Sequence, residues 1–345
     1  MKILIVASNM VHINNFHRPY IERMREDGHQ VFIMASGEGA DLNVPFEKRF
    51  LSLKNLRLIS QIKKHIIELK PDVIYLHTTL AAFLVRYALK GTKQRPRVIN
   101  TVHGYLFGKG FSWLHNSIYL GCEKIVRKQT DKILVMNSED FQIAQENKLC
   151  LEDVQMIDGI GIDFSRCDGL ERKANKKPKN LLFVGEISKR KNQLFLVKMM
   201  KHLPEYTLTL VGDGSERELI EKYIKKENLE GRVRISGYTK DIKPYLEDAD
   251  VYVSASRVEG LPFNILEAMR AGVPIVASSI KGHIDLLPKE CTCPLEIKAF
   301  ADKIKEIDYS FREYETEKYT LSSVLEKNIA LYYEEKLEKK EKILV

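Results

Sequence analysis

Short apolar segments of strand length alternate with amphipathic helical segments along almost the whole chain, and this alternation constrains the fold more than any other feature. In the first half, strands are predicted at KILIVAS, VFIMAS, DVIYLH and RVINTVHG, and helices at PYIERMREDGH, LRLISQIKKHIIELK and AAFLVRYALKG. The segment from Asn9 to Asn15 is predicted to be a loop. Strands that are apolar on both faces belong to parallel sheets covered by helices, so the first half is predicted to be a doubly wound α/β domain.

The same alternation begins again after a break. The break is CDGLERKANKKPK at Cys167 to Lys179, which is charged and has no periodicity. We therefore expect a first domain at residues 1–168, a linker at 169–179 and a second α/β domain at 180–318. The remaining residues, 319–345, are expected to contain a helix from about Tyr319 to Lys339 that packs back on the first domain. Two such domains create a cleft between the carboxyl ends of two sheets, where ligands bind in this architecture.

Composition narrows the class of protein. The 345 residues are 44% hydrophobic and 30% charged, which is typical of a soluble globular protein. No apolar run is long enough to span a bilayer, and the N-terminus lacks the features of a signal peptide. The five cysteines are an odd number, which favours a reducing compartment and hence the cytoplasm. Cys291 and Cys293 lack a second ligand pair, so we predict no zinc site there.

A basic segment rich in aromatic residues lies between Asp72 and Glu123, where no acidic residue occurs. Its cations are Arg86, Lys90, Lys93, Arg95, Arg97 and Lys109, and its rings include Tyr105, Phe107, Phe111, Trp113 and Tyr119. Interleaved rings and cations suit an anionic membrane surface, whereas a solvated basic face above core aromatics is an equally good interpretation. The chain contains no recognisable nucleic-acid-binding module, so no nucleic-acid partner is predicted.

The segment from Ser254 to Leu287 carries the clearest chemical pattern. Glu259 and Glu267 have seven residues between them, and Gly260-Leu261-Pro262 separates the first from a predicted helix that bears the second. Free backbone N–H groups at a helix start can bind an anion or sugar hydroxyls, and each carboxylate can accept hydroxyl hydrogen bonds. The pattern therefore indicates recognition of a polyol, although two ordinary surface charges would also explain an arbitrary pair of glutamates.

Taken as a whole, this string resembles the donor-binding signature of retaining GT-B glycosyltransferases of family 4, the sucrose synthase and mannosyltransferase-like family. The resemblance extends to GEISKRKNQ at Gly185 to Gln193 and to LVGDGSER at Leu210 to Arg217. The first half resembles the bacterial capsule and exopolysaccharide branch of that family in HINNFHRPY, TVHGYLFGKG and MIDGIGID. The resemblance implies a GT-B fold, in which two Rossmann-like domains face each other across a deep cleft.

The resemblance also implies roles for individual residues. The catalytic group would comprise Lys191 on the donor phosphates, Glu259 near the donor sugar, and His103 approaching that sugar from the first domain. Glu267 would bind the ribose hydroxyls and Tyr238 would lie near the nucleobase. The donor-binding set is completed by Gly185 of the phosphate loop and by Gly260, Leu261, Pro262, Phe263 and Asn264, whose backbone would hold the sugar.

The chain departs from the family pattern in two places. Glu186 follows the glycine of the phosphate loop where many relatives have arginine, so Lys191 would carry more of the charge compensation, with Lys189 or Arg190 as possible helpers. The glycine-rich loop that many relatives have near the first strand is also missing. The acceptor-side loop is instead predicted to use Ser8, Asn9, His12 and Asn14.

The activity implied is transfer of a sugar, with retention of configuration, from a UDP-sugar to a polyprenyl-diphosphate-linked saccharide in capsule or exopolysaccharide synthesis. No metal and no cofactor are expected, because a lysine and a helix start can stabilise the leaving diphosphate and no Asp-x-Asp follows a predicted strand. The expected location is the cytoplasm, peripherally at the inner face of the membrane, and the resemblance leaves room for partner glycosyltransferases. Two alternatives stay open: a UDP-sugar 2-epimerase and a non-catalytic glycosyltransferase-like partner subunit.

Overall fold

A computed structural model describes residues 1–47, 52–92, 95–170, 179–310 and 312–334. Two parallel β-sheets form the centres of two domains, each covered by helices, which confirms the expected α/β fold with two Rossmann-like domains. Eight residues of the predicted linker, 171–178, and the end of the predicted C-terminal helix, 335–345, lie outside the described residues.

The first domain is built on a seven-stranded sheet with the strand order β3-β2-β1-β4-β5-β6-β7. Its strands are β1 (Lys2–Asn9), β2 (Gln30–Ser36), β3 (Leu42–Asn43), β4 (Val73–Leu76), β5 (Arg97–Val102), β6 (Lys132–Val135) and β7 (Val154–Met156). Its helices are α1 (Met10–Phe16), α2 (Arg18–Glu26), α3 (Leu53–Leu69), α4 (Thr79–Ala88), α5 (Trp113–Val126) and α6 (Ser138–Glu146).

The second domain is built on a six-stranded sheet with the strand order β10-β9-β8-β11-β12-β13. Its strands are β8 (Lys179–Val184), β9 (Tyr206–Val211), β10 (Val233–Gly237), β11 (Val251–Ser254), β12 (Ile275–Ser278) and β13 (Thr292–Cys293). Its helices are α7 (Gln193–Met199), α8 (Arg217–Lys226), α9 (Lys243–Asp248), α10 (Phe263–Arg270) and α11 (Ile297–Glu306), and a last helix, α12 (Leu321–Tyr333), follows the domain.

The strands at the centre of each sheet are apolar on both faces, as the sequence pattern requires. Ile3 of β1 pairs with Val31 on one side and with Val73 on the other, and all three side chains are buried. In both sheets the strand order reverses at a central pair, β1 and β4 in the first domain and β8 and β11 in the second. Because ligands bind beyond the carboxyl ends of strands at such a reversal, these two edges define where a site is expected.

Helix α12 packs on the first domain although it follows the second in the chain. Tyr332 stacks on Tyr75 with ring centroids 4.5 Å apart, and Asn328 Nδ2 donates to Tyr20 Oη at 2.9 Å and to Gly159 O at 2.8 Å. Ile329 and Tyr332 are buried in the same core as the first strand. Helix α12, near the end of the described chain, therefore completes the core of the first domain.

The prediction of a loop from Asn9 to Asn15 is wrong, because helix α1 occupies residues 10–16. The side chain of Asn9 accepts a hydrogen bond of 2.8 Å from the backbone N–H of His12 and so caps the start of this helix. A helix of two turns offers too few apolar positions for its periodicity to appear in the sequence. The Asn9 cap is the signal that could have revealed it.

The basic segment is not a continuous cationic face. Arg86 is buried in a bidentate ion pair with Glu123, Arg95 pairs with Asp131 and Arg97 with Glu152. Tyr105 and Phe107 are core residues, and Lys93 lies outside the described residues. The absence of acids from the segment was misleading, because acids later in the chain pair with these arginines.

None of the described helices has both the length and the apolar character that crossing a bilayer requires.

Candidate functional site

Glu259 is the centre of the candidate site. It lies in the loop that follows β11, at the strand-order reversal of the second sheet, and its side chain is 6% exposed. Arg190 Nη1 donates to its Oε2 at 2.6 Å, and Lys191 Nζ lies 2.7 Å from its Oε1. The contact with Lys191 is an ion pair without hydrogen-bond alignment, and Oε1 has no hydrogen-bond partner in the described chain. A carboxylate oxygen can accept more than one hydrogen bond, so a sugar hydroxyl that reached Oε1 would find an acceptor there.

The two cations keep Glu259 ionised. Burial alone would raise its pKa, but the charges of Lys191 and Arg190 outweigh burial and lower the pKa of Glu259 to about 2. Burial in turn lowers the pKa of Lys191 below its usual value, although Glu259 opposes this effect. We assign Glu259 as a carboxylate and Lys191 as an ammonium group, because the charge of Arg190 further stabilises the ionised form of Glu259.

A constrained loop delivers these two cations to Glu259. Asn192 has a left-handed backbone with φ 60° at the start of α7, and its Nδ2 donates to Ala255 O at 3.0 Å. This bond ties residues 188–192 to the loop after β11. Glu186, the unusual residue of the phosphate loop, is exposed at the cleft. Arg190 is the helper that pairs with Glu259, and Lys189 is exposed to solvent.

Glu267 lies on α10 and faces the same cleft. Its side chain is 6% exposed, and Arg166 Nε donates to its Oε1 at 2.8 Å. Burial raises the pKa of Glu267, and the charge of Arg166 only partly opposes that rise. Arg166 lies in the segment that leads from the first domain to the second. Its bond to Glu267 therefore links this segment to helix α10 of the second domain.

The start of α10 points into the cleft without a side-chain cap. Pro262 precedes the helix and offers no capping oxygen, which leaves the first N–H groups of the helix free to bind an anion or hydroxyls. Asn264 is 9% exposed, and its Nδ2 donates to Val184 O at 3.0 Å and to Tyr252 Oη at 2.9 Å. Asn264 therefore acts first as a structural link that aligns α10 with the end of β8 and with Gly185.

A cleft of about 580 Å³ lies between the domains at this point. It is large enough for a nucleotide-sized ligand. Six residues of the predicted donor set line it, namely Gly185, Lys191, Tyr238, Phe263, Asn264 and Glu267, and Tyr238 is 74% exposed. Glu259 and Gly260 to Pro262 are not among its lining residues. From the first domain Asn15 and Phe16 line the same cleft.

Two glycines bring the domains into contact beside Glu259. A Cβ built on Gly104 would lie 2.8 Å from Gly260 Cα, and one built on Gly260 would lie 2.1 Å from His103 O. Gly104 also has φ +113°, a conformation that L side chains rarely adopt. The loop that carries His103 can therefore approach the Glu259 loop only because both positions lack a side chain. Leu261 and Pro262, the remaining members of the predicted set, lie between this contact and α10.

His103 belongs to a group of four histidines at the carboxyl edge of the first sheet. His103 Nε2 lies 3.4 Å from His77 Nδ1, and the His12 and His103 rings are 5.3 Å apart in an edge contact. Burial, followed by the proximity of His12, lowers the pKa of His103 to about 3, and burial lowers that of His12 to about 4. These rings are neutral at physiological pH.

The predicted acceptor-side residues lie at the end of β1, where most of them hold the backbone. Ser8 binds Thr78 through its N–H at 2.9 Å and its hydroxyl at 2.7 Å, and Asn9 caps α1. Asn14 Oδ1 accepts from Arg18 Nε at 2.9 Å. Of the predicted set, His12 is the residue that the fold brings next to His103.

Sequence reasoning did not identify Lys281, Arg166 or the pairing of Arg190 with Glu259. Lys281 Nζ reaches from the second domain to Tyr105 O and Phe107 O, each at 2.8 Å, and to Asp140 Oδ1 at 2.7 Å. It therefore fixes the loop that carries His103. The isolated lysine in SSIKGHIDLL carried no signal of this role, because its partners lie 141 residues and more away in the chain.

Comparisons with known proteins agree with this geometry. The profile described as "Glycosyl transferases group 1" matches residues 170–307, which include Gly185, Lys191, Glu259 and Glu267. The profile described as "Glycosyltransferase Family 4" matches residues 20–149, which include His103. Together the two profiles span well over half of the chain.

Individual relatives and a solved structure agree with the profiles. The chain is 26% identical over 307 residues to "Putative glycosyltransferase EpsD" of Bacillus subtilis, covering 83% of this chain and 81% of that protein. It is 28% identical over 286 residues to the "UDP-Gal:alpha-D-GlcNAc-diphosphoundecaprenol alpha-1,3-galactosyltransferase" of Escherichia coli, covering 77% and 71%. The structure of sucrose-phosphate synthase from Thermosynechococcus elongatus superposes with a TM-score of 0.74 at 18% sequence identity. The superposition covers 96% of this chain and 98% of that one, which supports the fold.

The two-domain fold, the profile matches across both domains and the similarity over most of the chain lead to one assignment: this chain belongs to the GT-B superfamily of glycosyltransferases, group 1/family 4.

Proposed function

We propose that this glycosyltransferase moves a sugar from a UDP-sugar to a polyprenyl-diphosphate-linked saccharide with retention of configuration and without a metal ion. One observation carries the proposal. Buried Glu259 contacts both Lys191 and Arg190, and Lys191 lines the cleft between the domains together with the uncapped start of α10. A carboxylate and two cations lie side by side, which supports the proposal that the carboxylate binds sugar hydroxyls and the cations bind a diphosphate.

The positive groups would act on the leaving diphosphate. As the bond from the anomeric carbon to the phosphate oxygen breaks, negative charge grows on the phosphate and positive charge on the sugar. Lys191 and the free N–H groups at the start of α10 lie where they can stabilise the negative charge. Such preorganised groups contribute several kcal/mol, on the order of 3 kcal/mol for one donor. In this proposal they do the work that a divalent cation does in other transferases.

The carboxylates would hold the donor. Glu259 would accept hydrogen bonds from sugar hydroxyls through Oε1, and Glu267 would bind the ribose hydroxyls once Arg166 moves aside. Attack by the acceptor on the face that the phosphate leaves would retain the configuration, and the leaving phosphate oxygen would take the acceptor proton. This route needs no side-chain nucleophile. Neutral His103 would contact the donor sugar from the first domain.

The choice of substrates rests on the relatives. The Escherichia coli relative is named for transfer of galactose from UDP-galactose to a diphosphoundecaprenol-linked sugar. By analogy we propose a UDP-sugar donor, a lipid-linked acceptor and a role in capsule or exopolysaccharide synthesis for this chain. A lipid-linked acceptor requires the enzyme to work at a membrane surface, which we place at the cytoplasmic face.

Helix α5 offers a surface for that contact. Trp113, Leu114, Ile118 and Ile125 are all between 48% and 81% exposed, and the last three recur at helical spacing along one side of the helix. Lys124 and Lys128 are exposed beside them, and Lys109 is exposed before the helix. Exposed apolar residues flanked by cations suit insertion between anionic headgroups. We refer to Trp113, Leu114, Ile118, Ile125 and the neighbouring lysines as the α5 surface.

UDP release from a panel of UDP-sugars, measured with a short polyprenyl-diphosphate-linked sugar and EDTA, tests the proposal. We expect acceptor-dependent release in the parent protein and a loss of about 100-fold or more in Glu259→Ala and Lys191→Ala. Glu230→Ala changes an exposed glutamate of the second domain that does not line the cleft, so it is the matched control and should keep the parent rate.

Other outcomes would contradict the proposal. Activity that disappears with EDTA and returns with Mg²⁺ would refute metal independence. Conversion of the donor without a change of mass would favour a 2-epimerase. Silence across the panel, combined with tight association with a second glycosyltransferase, would favour a non-catalytic partner subunit.

A further inference from the structure

His12, His17 and His103 place one imidazole nitrogen each within 4.8 Å of one another. The rings come from different parts of the first domain, since His12 lies on α1, His17 between α1 and α2, and His103 after β5. The ring centroid of His12 is 5.0 Å from that of His17 and 5.3 Å from that of His103. The ring of His77 also contacts that of His17, with centroids 3.8 Å apart and the ring planes tilted by 33°.

Two of the three imidazoles, those of His12 and His17, lack the polar partner that buried histidines normally have, while His103 Nε2 lies 3.4 Å from His77 Nδ1. Nε2 of His12 and Nε2 of His17 are buried and make no hydrogen bond within the part of the chain that the structure describes. His17 is 1% exposed, so its ring is shielded from bulk solvent. Buried polar atoms without partners are rare and require an explanation such as an ion. A neutral imidazole offers the lone pair of one ring nitrogen to a metal ion.

We propose that His12, His17 and His103 form a binding site for a divalent transition metal of the Zn²⁺ type. Zinc bonds imidazole nitrogen at about 2.0–2.1 Å in tetrahedral geometry, which requires nitrogen pairs about 3.3 Å apart. Small side-chain rotations would bring the three nitrogens together around an ion. Neutral imidazoles suit Zn²⁺, Ni²⁺ and Cu²⁺ and bind Mg²⁺ or Mn²⁺ poorly. Three protein ligands leave a fourth position open.

The site would act as an inhibitory switch on transfer. A metal bound to His103 would engage the ring that the proposed mechanism directs at the donor sugar, so binding and transfer would compete. This consequence rests on the proposed function. The metal site itself does not, because it can be measured without any substrate, and the two proposals can therefore fail separately.

Titration with Co²⁺ tests the site directly. The protein is treated with EDTA, desalted and titrated with Co²⁺ at pH 7, and the visible ligand-field absorption of tetrahedral cobalt is followed. We expect one Co²⁺ per chain, displacement by an equimolar amount of Zn²⁺ and no displacement by Mg²⁺. His12→Ala and His17→Gln should each weaken Co²⁺ binding by about tenfold or more, because each removes a ligand. His202→Ala, an exposed histidine of the second domain, is the matched control and should bind as the parent does.

Several results would overturn the proposal. Binding that is unchanged in folded His12→Ala would exclude the site, and His12 is only partly buried, so this variant decides the question if His17→Gln fails to fold. An absorption band from thiolate to cobalt would place the metal at the cysteines instead. If Zn²⁺ binds with the expected ligands but does not slow UDP release, the site stands and the inhibitory switch is refuted.

Discussion

Burial changes the protonation of single side chains in this protein, and the histidines at the carboxyl edge of the first sheet are the clearest case. The pKa of His12 is about 4 and that of His103 about 3, because burial disfavours the charged ring. An unfolded histidine titrates near 6.5. At these two histidines the unfolded chain therefore binds more protons than the folded chain between about pH 6.5 and the folded pKa values.

This difference predicts a specific loss of stability in acid. The stabilising effect of the neutral rings is fully present above pH 6.5 and is lost as the pH falls towards the folded pKa values. Between pH 7 and pH 5 each such histidine should lower the free energy of unfolding by about 2 kcal/mol. Urea unfolding in EDTA, at both pH values, measures the effect.

The variant His12→Gln isolates one contribution, because its side chain does not titrate. Its loss of stability between pH 7 and pH 5 should be about 2 kcal/mol smaller than that of the parent. His202→Gln, which changes an exposed ring, should lose as much as the parent. Equal losses in all three proteins would show that His12 titrates normally.

At the residue scale the sequence pointed to the acids of the site but not to their partners. Glu259 and Glu267 stand out through their spacing around Gly260 and Pro262. The arginines that hold them, Arg190 and Arg166, are separated from them by 69 and 101 residues. Any of 55 lysines and arginines could pair with an acid, and only the fold selects which of them does.

At the scale of elements, the His103 loop and the Glu259 loop can lie in contact because Gly104 and Gly260 have no side chains. A Cβ at Gly260 would lie 2.1 Å from His103 O, so one of the two loops would have to shift. We expect Gly260→Ala to reduce transfer by about 100-fold, since an error of about 1 Å in position has that effect. UDP release measures the rate, and circular dichroism should show an intact fold.

Gly231→Ala provides the control for this substitution. A Cβ at Gly231 would meet no atom within 4 Å, and the residue does not have a left-handed φ. This variant should transfer sugar at the parent rate. If Gly260→Ala were equally active, the close approach of the two loops would not matter for transfer.

The α5 surface gives a second prediction at this scale. Trp113 is 81% exposed, and inserting such a ring among lipids removes a large apolar surface from water. We expect Trp113→Ser to weaken binding to vesicles containing phosphatidylglycerol by about tenfold or more, and added salt to weaken the parent's binding as well. Flotation of vesicles measures the bound fraction. Leu219→Ser, which removes an exposed apolar side chain from α8, should leave binding unchanged.

Failure of this prediction would have a clear meaning. If the parent binds phosphatidylcholine vesicles as well as anionic ones, charge does not guide the contact. If neither kind of vesicle binds, attachment through a partner protein becomes the better explanation. In either case the lysines beside Trp113 would have no role in attachment.

Most elements were predictable because burial imposes periodicity. Central strands such as β1 and β4 are apolar on both faces, and long helices such as α3 bury one side, so both leave a clear pattern. Helix α1 is the exception, since its seven residues bury only Met10 and Ile13. Short elements are determined by caps and neighbours more than by their own periodicity.

At the scale of the whole molecule, a buried ion pair joins the two domains. Lys281 of the second domain is 5% exposed and Asp140 of the first is fully buried, so removing the lysine would leave an unpaired buried carboxylate. We expect Lys281→Met to lower the free energy of unfolding by about 3 kcal/mol and to enlarge the radius of gyration in X-ray scattering. Urea unfolding should also become broader as the domains lose their connection.

Two further variants sharpen this test. Lys289→Met removes an exposed lysine from the same region and should behave as the parent does. The double variant Lys281→Met with Asp140→Leu replaces both charges by apolar groups and should recover most of the lost stability. No recovery would mean that the bonds from Lys281 to Tyr105 O and Phe107 O matter more than the charge pair.

The division into two α/β units follows from the repeated pattern and its break near residue 170, whereas the way the units contact each other does not. Bonds such as Lys281 to Asp140 and Ser138 to Asp285 join residues more than 140 positions apart. Their side chains are ordinary polar residues in the sequence. The contact between the domains therefore depends on the fit of their surfaces and on pairs of distant residues. Neither can be predicted from a local sequence pattern.

The position of α12 has a consequence for how the protein is made. Its residues Ile329 and Tyr332 fill the core that contains Ile3, yet the ribosome synthesises them after the entire second domain. During translation the core of the first domain stays incomplete, with an open apolar groove, until α12 has been made. The second domain can bury its own core before that. We therefore expect the nascent chain to fold out of order, and a stalled chain ending at residue 318 to be a good client for chaperones.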